Sequence, residues 1–223
     1  MASKQKQREA EIALHDAIRN LRVDAVKHLL AAGVDPNAFD DKSRNFRLAF
    51  TALGTAISTA AHSISETRRM IAGAGAELFP DKPPRDLKAE RAASLEILHL
   101  LIAAGADPNR PSLSRTPLSL AANTGDGEVT TLLLDAGANP AGECWSPLSK
   151  LPRPKGGLAF YGNAIHEAAV KGFTGVVILL CSRGADPLAR DHEGKTALQI
   201  AREQGHTDIV HFLEQYERST VAG

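Results

Sequence analysis

The sequence has little cysteine, few aromatic rings and no net charge. Two cysteines in 223 residues, Cys144 and Cys181, are too few for a disulfide framework, so both are expected as reduced thiols. Lys and Arg together number 26, against 26 Asp and Glu. That balance excludes a diffuse polycation working on nucleic acid or anionic lipid, although a local basic patch is compatible with it. No apolar run approaches the roughly 20 residues needed to cross a bilayer. Met1 to Ala10 is polar and lacks the apolar centre of a signal peptide. The expected compartment is therefore cytoplasmic and reducing, with no membrane partner and specialised export as the alternative. Aromatics are 4% of the chain, with one Trp and two Tyr. The core must be built from Ala, Leu, Ile and Val, which favours thin, closely packed layers.

Catalytic and metal-binding patterns are missing as well. There is no Gly-x-Ser-x-Gly turn to present a nucleophile. The run Ala72-Gly73-Ala74-Gly75 is not followed by Gly-Lys-Ser/Thr, so it is no phosphate loop. His206 and His211 are five residues apart and do not share a helix face as an i, i+4 pair would. Neither cysteine has a second Cys or a His at ligand spacing. Lys82-Pro83-Pro84-Arg85 resembles a proline-rich ligand but reads more simply as a turn between helices. No enzymatic activity, cofactor, metal or small-molecule substrate is expected.

What is present is a repeat. Leu29-Leu30-Ala31-Ala32-Gly33-Val34-Asp35-Pro36-Asn37 returns as Leu101-Ile102-Ala103-Ala104-Gly105-Ala106-Asp107-Pro108-Asn109. It returns again in Leu133 to Pro140 and in Leu180 to Pro187, with a weaker copy from Met70 to Glu77. The glycines are 33, 75, 105, 137 and 184, so they lie 42, 30, 32 and 47 apart. A second phrase lies upstream of four of them, as Ile12 to Ala17, Thr55-Ala56-Ile57-Ser58-Thr59-Ala60, Thr116-Pro117-Leu118-Ser119-Leu120-Ala121 and Asn163-Ala164-Ile165-His166-Glu167-Ala168, and returns once more as Thr196 to Ala201.

These phrases resemble the ankyrin repeat, with its period of about 33 and its Thr-Pro-Leu-His-x-Ala signature. The resemblance covers roughly residues 8 to 216. It implies an all-α solenoid of stacked helix-turn-helix pairs, each preceded by a β-turn finger. Local physics agrees. Thr116 or Thr196 can cap a first helix and Pro117 suits its first turn. The aliphatic run Val176, Val177, Leu179 and Leu180 suits a second helix buried on its neighbour, and the Gly supplies the left-handed residue that ends it. His15 and His166 fall in the His slot of the phrase, which the family uses structurally between repeats.

The expected organisation is a single domain, 1–223, of five clear repeats plus one degenerate repeat. The boundaries are 8–38, 39–77, 78–109 (degenerate, within residues 76–109), 110–140, 141–188 and a capping repeat at 189–218. The alternative is five repeats with a 29-residue helical insertion in the second, because residues 76–104 hold one good helix and a poor one. Six is the preferred count, since six repeats of 33 leave 25 residues for two local expansions.

Both expansions fall in fingers. Asp107 to Thr116 is 9 residues and Asp186 to Thr196 is 10, but Asp35 to Thr55 is 20 and Asn139 to Asn163 is 24. The enlarged fingers close alike, as Leu48-Ala49-Phe50 and Leu158-Ala159-Phe160, each with a Gly before the presumed cap residue, Thr55 or Asn163. They carry Phe46, Trp145 and Tyr161, together with Arg44, Arg47, Lys150, Arg153 and Lys155. Exposed aromatics and Arg are the substance of binding hot spots. Phe50 and Phe160 are expected to tuck under their fingers.

The expected function is protein binding through the concave face and the enlarged fingers. The resemblance assigns Arg115, Asn123, Glu167, Lys171, His192, Lys195 and Arg202 to that face. The basic fingers suggest a partner with an acidic surface. Nucleic acid is disfavoured, and the chain is expected to be monomeric by itself. Three versions compete: an adaptor, an inhibitor or immunity-type protein that occludes a toxin or enzyme, and a microbial effector acting on a host protein.

Overall fold

In a computed structural model, the described residues are 2–40, 50–71, 86–112, 115–142, 162–191 and 193–221. They hold ten α-helices: α1 (Ala2–Arg19), α2 (Val23–Ala31), α3 (Ala52–Ile71), α4 (Leu87–Ala103), α5 (Pro117–Thr124), α6 (Gly127–Asp135), α7 (Ala164–Lys171), α8 (Thr174–Ser182), α9 (Ala197–Gln204) and α10 (Thr207–Val221). Two compact units divide them, residues 1–113 and residues 114–223.

In each unit the helices pack as successive pairs. In residues 1–113, α1 packs on α2 and α3 on α4; α1 also lies against α3 and α2 against α4. In residues 114–223 the pairs are α5 with α6, α7 with α8 and α9 with α10. There the first helices α5, α7 and α9 form one row, and the second helices α6, α8 and α10 another. The rows are close because the facing residues are small: Ala121, Ala122, Ala168, Ala169 and Ala201 are buried on the first helices. The second row buries branched and larger side chains, Val129, Leu133, Val176, Val177, Leu180, Ile209 and Leu213. Four second helices end on glycines with φ between 83 and 91°, at Gly33, Gly105, Gly137 and Gly184. A side chain there would be strained, which is why the phrase carries Gly.

Helix starts follow the side-chain chemistry of the sequence. Thr116 Oγ1 accepts from the Ser119 backbone N–H at 3.1 Å, with Pro117 in the first turn. Thr196 and Gln199 form a reciprocal capping box. α3 differs from expectation. Its cap is Thr51, whose Oγ1 accepts from the Gly54 N–H at 3.0 Å, and the helix begins at Ala52. Thr55, predicted as the cap, is buried in the first turns and bonded to His15 instead.

The described helices form five pairs. Residues 52–71 are one uninterrupted helix, where six repeats would need a break between a first and a second helix. Residues 87–103 are likewise one helix, capped by Asp86, and it packs on α3. No Gly or Pro lies between Leu87 and Ala103 to interrupt it. Of the separate helix pair expected over 78–109, the described residues show one helix, α4, and residues 78–85 lie outside them. The bend expected at Gly75 lies outside the described residues.

The first enlarged finger has a built base. Phe39 and Thr51 form an antiparallel bridge, with Asp40 N–H donating to the Phe50 carbonyl at 2.8 Å and Ala52 N–H to the Ala38 carbonyl at 3.1 Å. Arg19 pairs with Asp40 at this base. Phe50 is half-buried beside Gly54.

Candidate functional site

The first-helix row of residues 114–223 gathers three side chains around one carboxylate. Glu167 lies on α7 and is wholly buried. Its Oε2 accepts from Asn123 Nδ2 of α5 at 2.8 Å. Its Oε1 lies 3.3 Å from Arg115 Nε, yet accepts no hydrogen bond. Lys171, one turn further along α7, is exposed and adds a favourable charge. Arg115 stands at the end of its finger, directly before the Thr116 cap. Two sequence-distant segments are therefore joined because α5 and α7 are neighbours in the row.

Burial raises the Glu167 carboxyl above its ordinary 4.5, and Arg115, Asn123 and Lys171 only partly oppose this. The folded protein accordingly binds the proton more tightly than the unfolded chain. The contribution of Glu167 to stability is full below pH 4.5 and is lost as pH rises through the raised value. Glu167→Gln removes the ionisation while keeping the shape. Thermal unfolding of this variant across pH 4 to 8 should show a higher Tm than wild type at the neutral end, and a difference that shrinks on acidification. An unchanged difference across that range would mean the carboxylate is not under strain.

Two buried histidines tie helices to fingers by one device. His15 Nε2–H donates to the Ala38 carbonyl at 3.2 Å, while its Nδ1 meets the Thr55 hydroxyl at 2.9 Å. His166 Nε2–H donates to the Ala189 carbonyl at 3.0 Å, and its Nδ1 faces the Asn163 cap. In both cases the carbonyl lies 23 residues downstream. Burial holds both rings below their ordinary 6.5.

The helix pairs, the fingers and the phrase agree with the comparison to known families. Residues 87–191 and 149–220 match the model described as Ankyrin repeats (3 copies), and residues 11–41 match that of the Ankyrin repeat. The chain belongs to the ankyrin-repeat family. Human cyclin-dependent kinase inhibitor 2A is 34% identical over 135 residues, covering 59% of this ankyrin-repeat chain and 78% of the inhibitor. Mouse cyclin-dependent kinase 4 inhibitor B is 34% identical over 120 residues, 53% of this chain and 82% of the inhibitor. A protein of Arabidopsis thaliana named as an E3 ubiquitin-protein ligase, XBAT34, is 35% identical over 105 residues, 47% of this chain. The match spans only 25% of that plant protein's length.

Of the residues that sequence assigns to this ankyrin-repeat surface, Arg115, Asn123, Glu167 and Lys171 come together. Glu167 was expected on an open face and is instead buried, because Asn123 and Arg115 reach it from the preceding pair. Lys195 is matched to Glu193 at 3.2 Å and Glu203 at 2.7 Å, and Arg202 to Glu214 at 2.6 Å. These two cations brace the last helix pair. Arg44, Phe46, Arg47, Trp145, Lys150, Arg153, Lys155, Tyr161 and His192 lie outside the described residues, as do Cys144 and Phe160. Sequence reasoning did not single out Phe39, 40% exposed, with the Arg110 guanidinium 4.5 Å from its ring centre. A Phe two residues after the finger phrase Asp35 to Asn37 was the available signal. Among the described residues, no helix is long and apolar enough to cross a membrane. The same residues hold no group of three or more His, Cys, Asp or Glu placed for a metal ion.

Proposed function

We propose that this chain binds a protein partner, using the first-helix row of residues 114–223 and the two enlarged fingers as its contact surface. The observation that carries this reading is the cluster of Arg115, Asn123, Glu167 and Lys171. It is a polar, net-positive group assembled by packing, on a scaffold that leaves little to order on binding. By sequence the fingers carry basic residues as well, so the partner surface is acidic. A second reading, an inhibitor that occludes an enzyme's working surface, is favoured by the likeness to two inhibitors over about four-fifths of their length.

Affinity capture from lysate of the source cells tests the surface. Three baits are compared: the intact protein, Arg115→Ala/Lys171→Ala, and a protein whose residues 142–161 are replaced by a short finger. Recovery of the specific partner should fall about tenfold or more with the double variant. Full recovery by both altered baits would remove this surface from consideration. For the inhibitor reading, the captured enzyme is assayed against increasing protein. Activity should fall in proportion to occupancy, and an enzyme working unchanged at saturation would leave binding without inhibition.

A further inference from the structure

We infer that Glu167 holds Arg115 so that the Arg115 guanidinium receives a carboxylate from an acidic peptide segment of the partner. This rests on the first-helix row being the contact surface, and it adds the group recognised and the residue that positions it.

The geometry is that of a cation set over a buried anion. Glu167 is wholly buried, its Oε2 is taken by Asn123, and its Oε1 faces Arg115 Nε at 3.3 Å with no hydrogen bond accepted. A carboxylate in such a place is costly unless a cation stays beside it. Arg115 is therefore drawn down on its Nε side, while its side chain keeps 26% of its exposure. Its Nη groups have no hydrogen bond or ion pair among the described residues. An arginine fork with free terminal nitrogens matches the two oxygens of a carboxylate, and orientation fixed beforehand lowers the entropy lost on binding.

Charge selects the same ligand. Arg115 and Lys171 against Glu167 leave one net positive charge. Lys171 has no ion pair among the described residues, unlike Lys195 and Arg202. A basic segment would be repelled by both cations. An acidic segment running along the row meets Arg115 with one carboxylate and Lys171 with the next.

The test separates positioning from attraction by charge alone. The full-length protein, labelled with nitrogen-15, is titrated at low salt with capped hexaglutamate and, in parallel, with capped hexalysine. The Arg115 Nε–Hε and Asn123 side-chain signals are followed by NMR. Hexaglutamate should shift both saturably and hexalysine neither. Arg115→Lys keeps the charge and loses the fork, so affinity should drop about tenfold. Glu167→Gln makes the site more positive, so charge alone predicts tighter binding; a lost positioning contact predicts binding several-fold weaker. Equal or tighter binding by Glu167→Gln, or unchanged binding by Arg115→Lys, overturns the inference. So does the absence of any shift. Shifts elsewhere that leave the Arg115 signal in place also overturn it, while the wider surface is judged separately by the capture experiment. Should Glu167→Gln fail to fold by circular dichroism, Arg115→Lys decides alone.

Discussion

Gly54→Ala should destabilise the protein by about 3 kcal/mol and lower its Tm by about 10 °C. The reason is space and not backbone freedom. A Cβ at Gly54 would stand 2.3 Å from Ser112 Oγ and 2.8 Å from Ser112 Cβ. Ser112 is wholly buried and cannot swing into solvent. Its Oγ accepts from the Thr51 N–H at 2.9 Å and lies 2.8 Å from Thr51 Oγ1, the atom that caps α3. Pushing Ser112 aside therefore loosens the cap, the base of the first finger and the finger that follows. Ser112→Gly should cost less by itself, about 1.5 kcal/mol, through the lost hydrogen bonds. The double variant Gly54→Ala/Ser112→Gly should recover about 1 kcal/mol relative to the sum of the singles. Thermal and urea unfolding of the four proteins measures this. Strict additivity, or a Gly54→Ala protein within about 0.5 kcal/mol of wild type, would show that Ser112 is free to move.

His166→Ala should cost a similar amount, about 3 kcal/mol, because it strands the Ala189 carbonyl and the Asn163 cap while opening a cavity. The last helix pair supplies the control. Gln199 occupies the slot equivalent to His166, and its Oε1 accepts from the Thr196 N–H at 2.9 Å. His166→Gln should keep that half of the job and lose the bond to the finger, so about half the loss is expected. The pH profile follows from the same contacts. The ring is held neutral, below its ordinary 6.5, so the unfolded chain takes up the proton first on acidification. The stabilisation is full above pH 6.5 and is lost as pH falls from there through the lowered folded value. His15 acts in the same direction. Wild type should therefore lose Tm between pH 7 and 5 more steeply than His166→Gln, and parallel profiles would remove His166 as the acid-sensitive group.

Much of this was legible in the chain. The two recurring phrases identify the helix pairs, because each needs small residues on one helix, aliphatics on the next and a left-handed Gly at the end. The slot of His15 and His166 marked them as structural, which their bonds to Ala38 and Ala189 bear out. The phrase misplaced the start of α3, because Thr51 and Thr55 are both plausible caps locally. Only Ser112, 61 residues away in sequence, favours Thr51, while His15 takes up Thr55. The weak Gly75 copy suggests a helix ending at a position outside the described residues.

The sequence by itself determined the repeat, the helical class and which positions are small, aliphatic or capping, since those are local demands of one unit. Tertiary structure alone decided which polar groups meet. Arg115, Asn123 and Glu167 are spread over 52 residues, and the stacking of α5 on α7 brings them together. It also decided which cations are neutralised: among the described residues, Lys195 and Arg202 find acids in their own helix pair, and Arg115 finds a buried one. Composition shows the balance of charge along a chain, but attraction falls off with distance and depends on burial. The charge a partner meets is therefore set by packing.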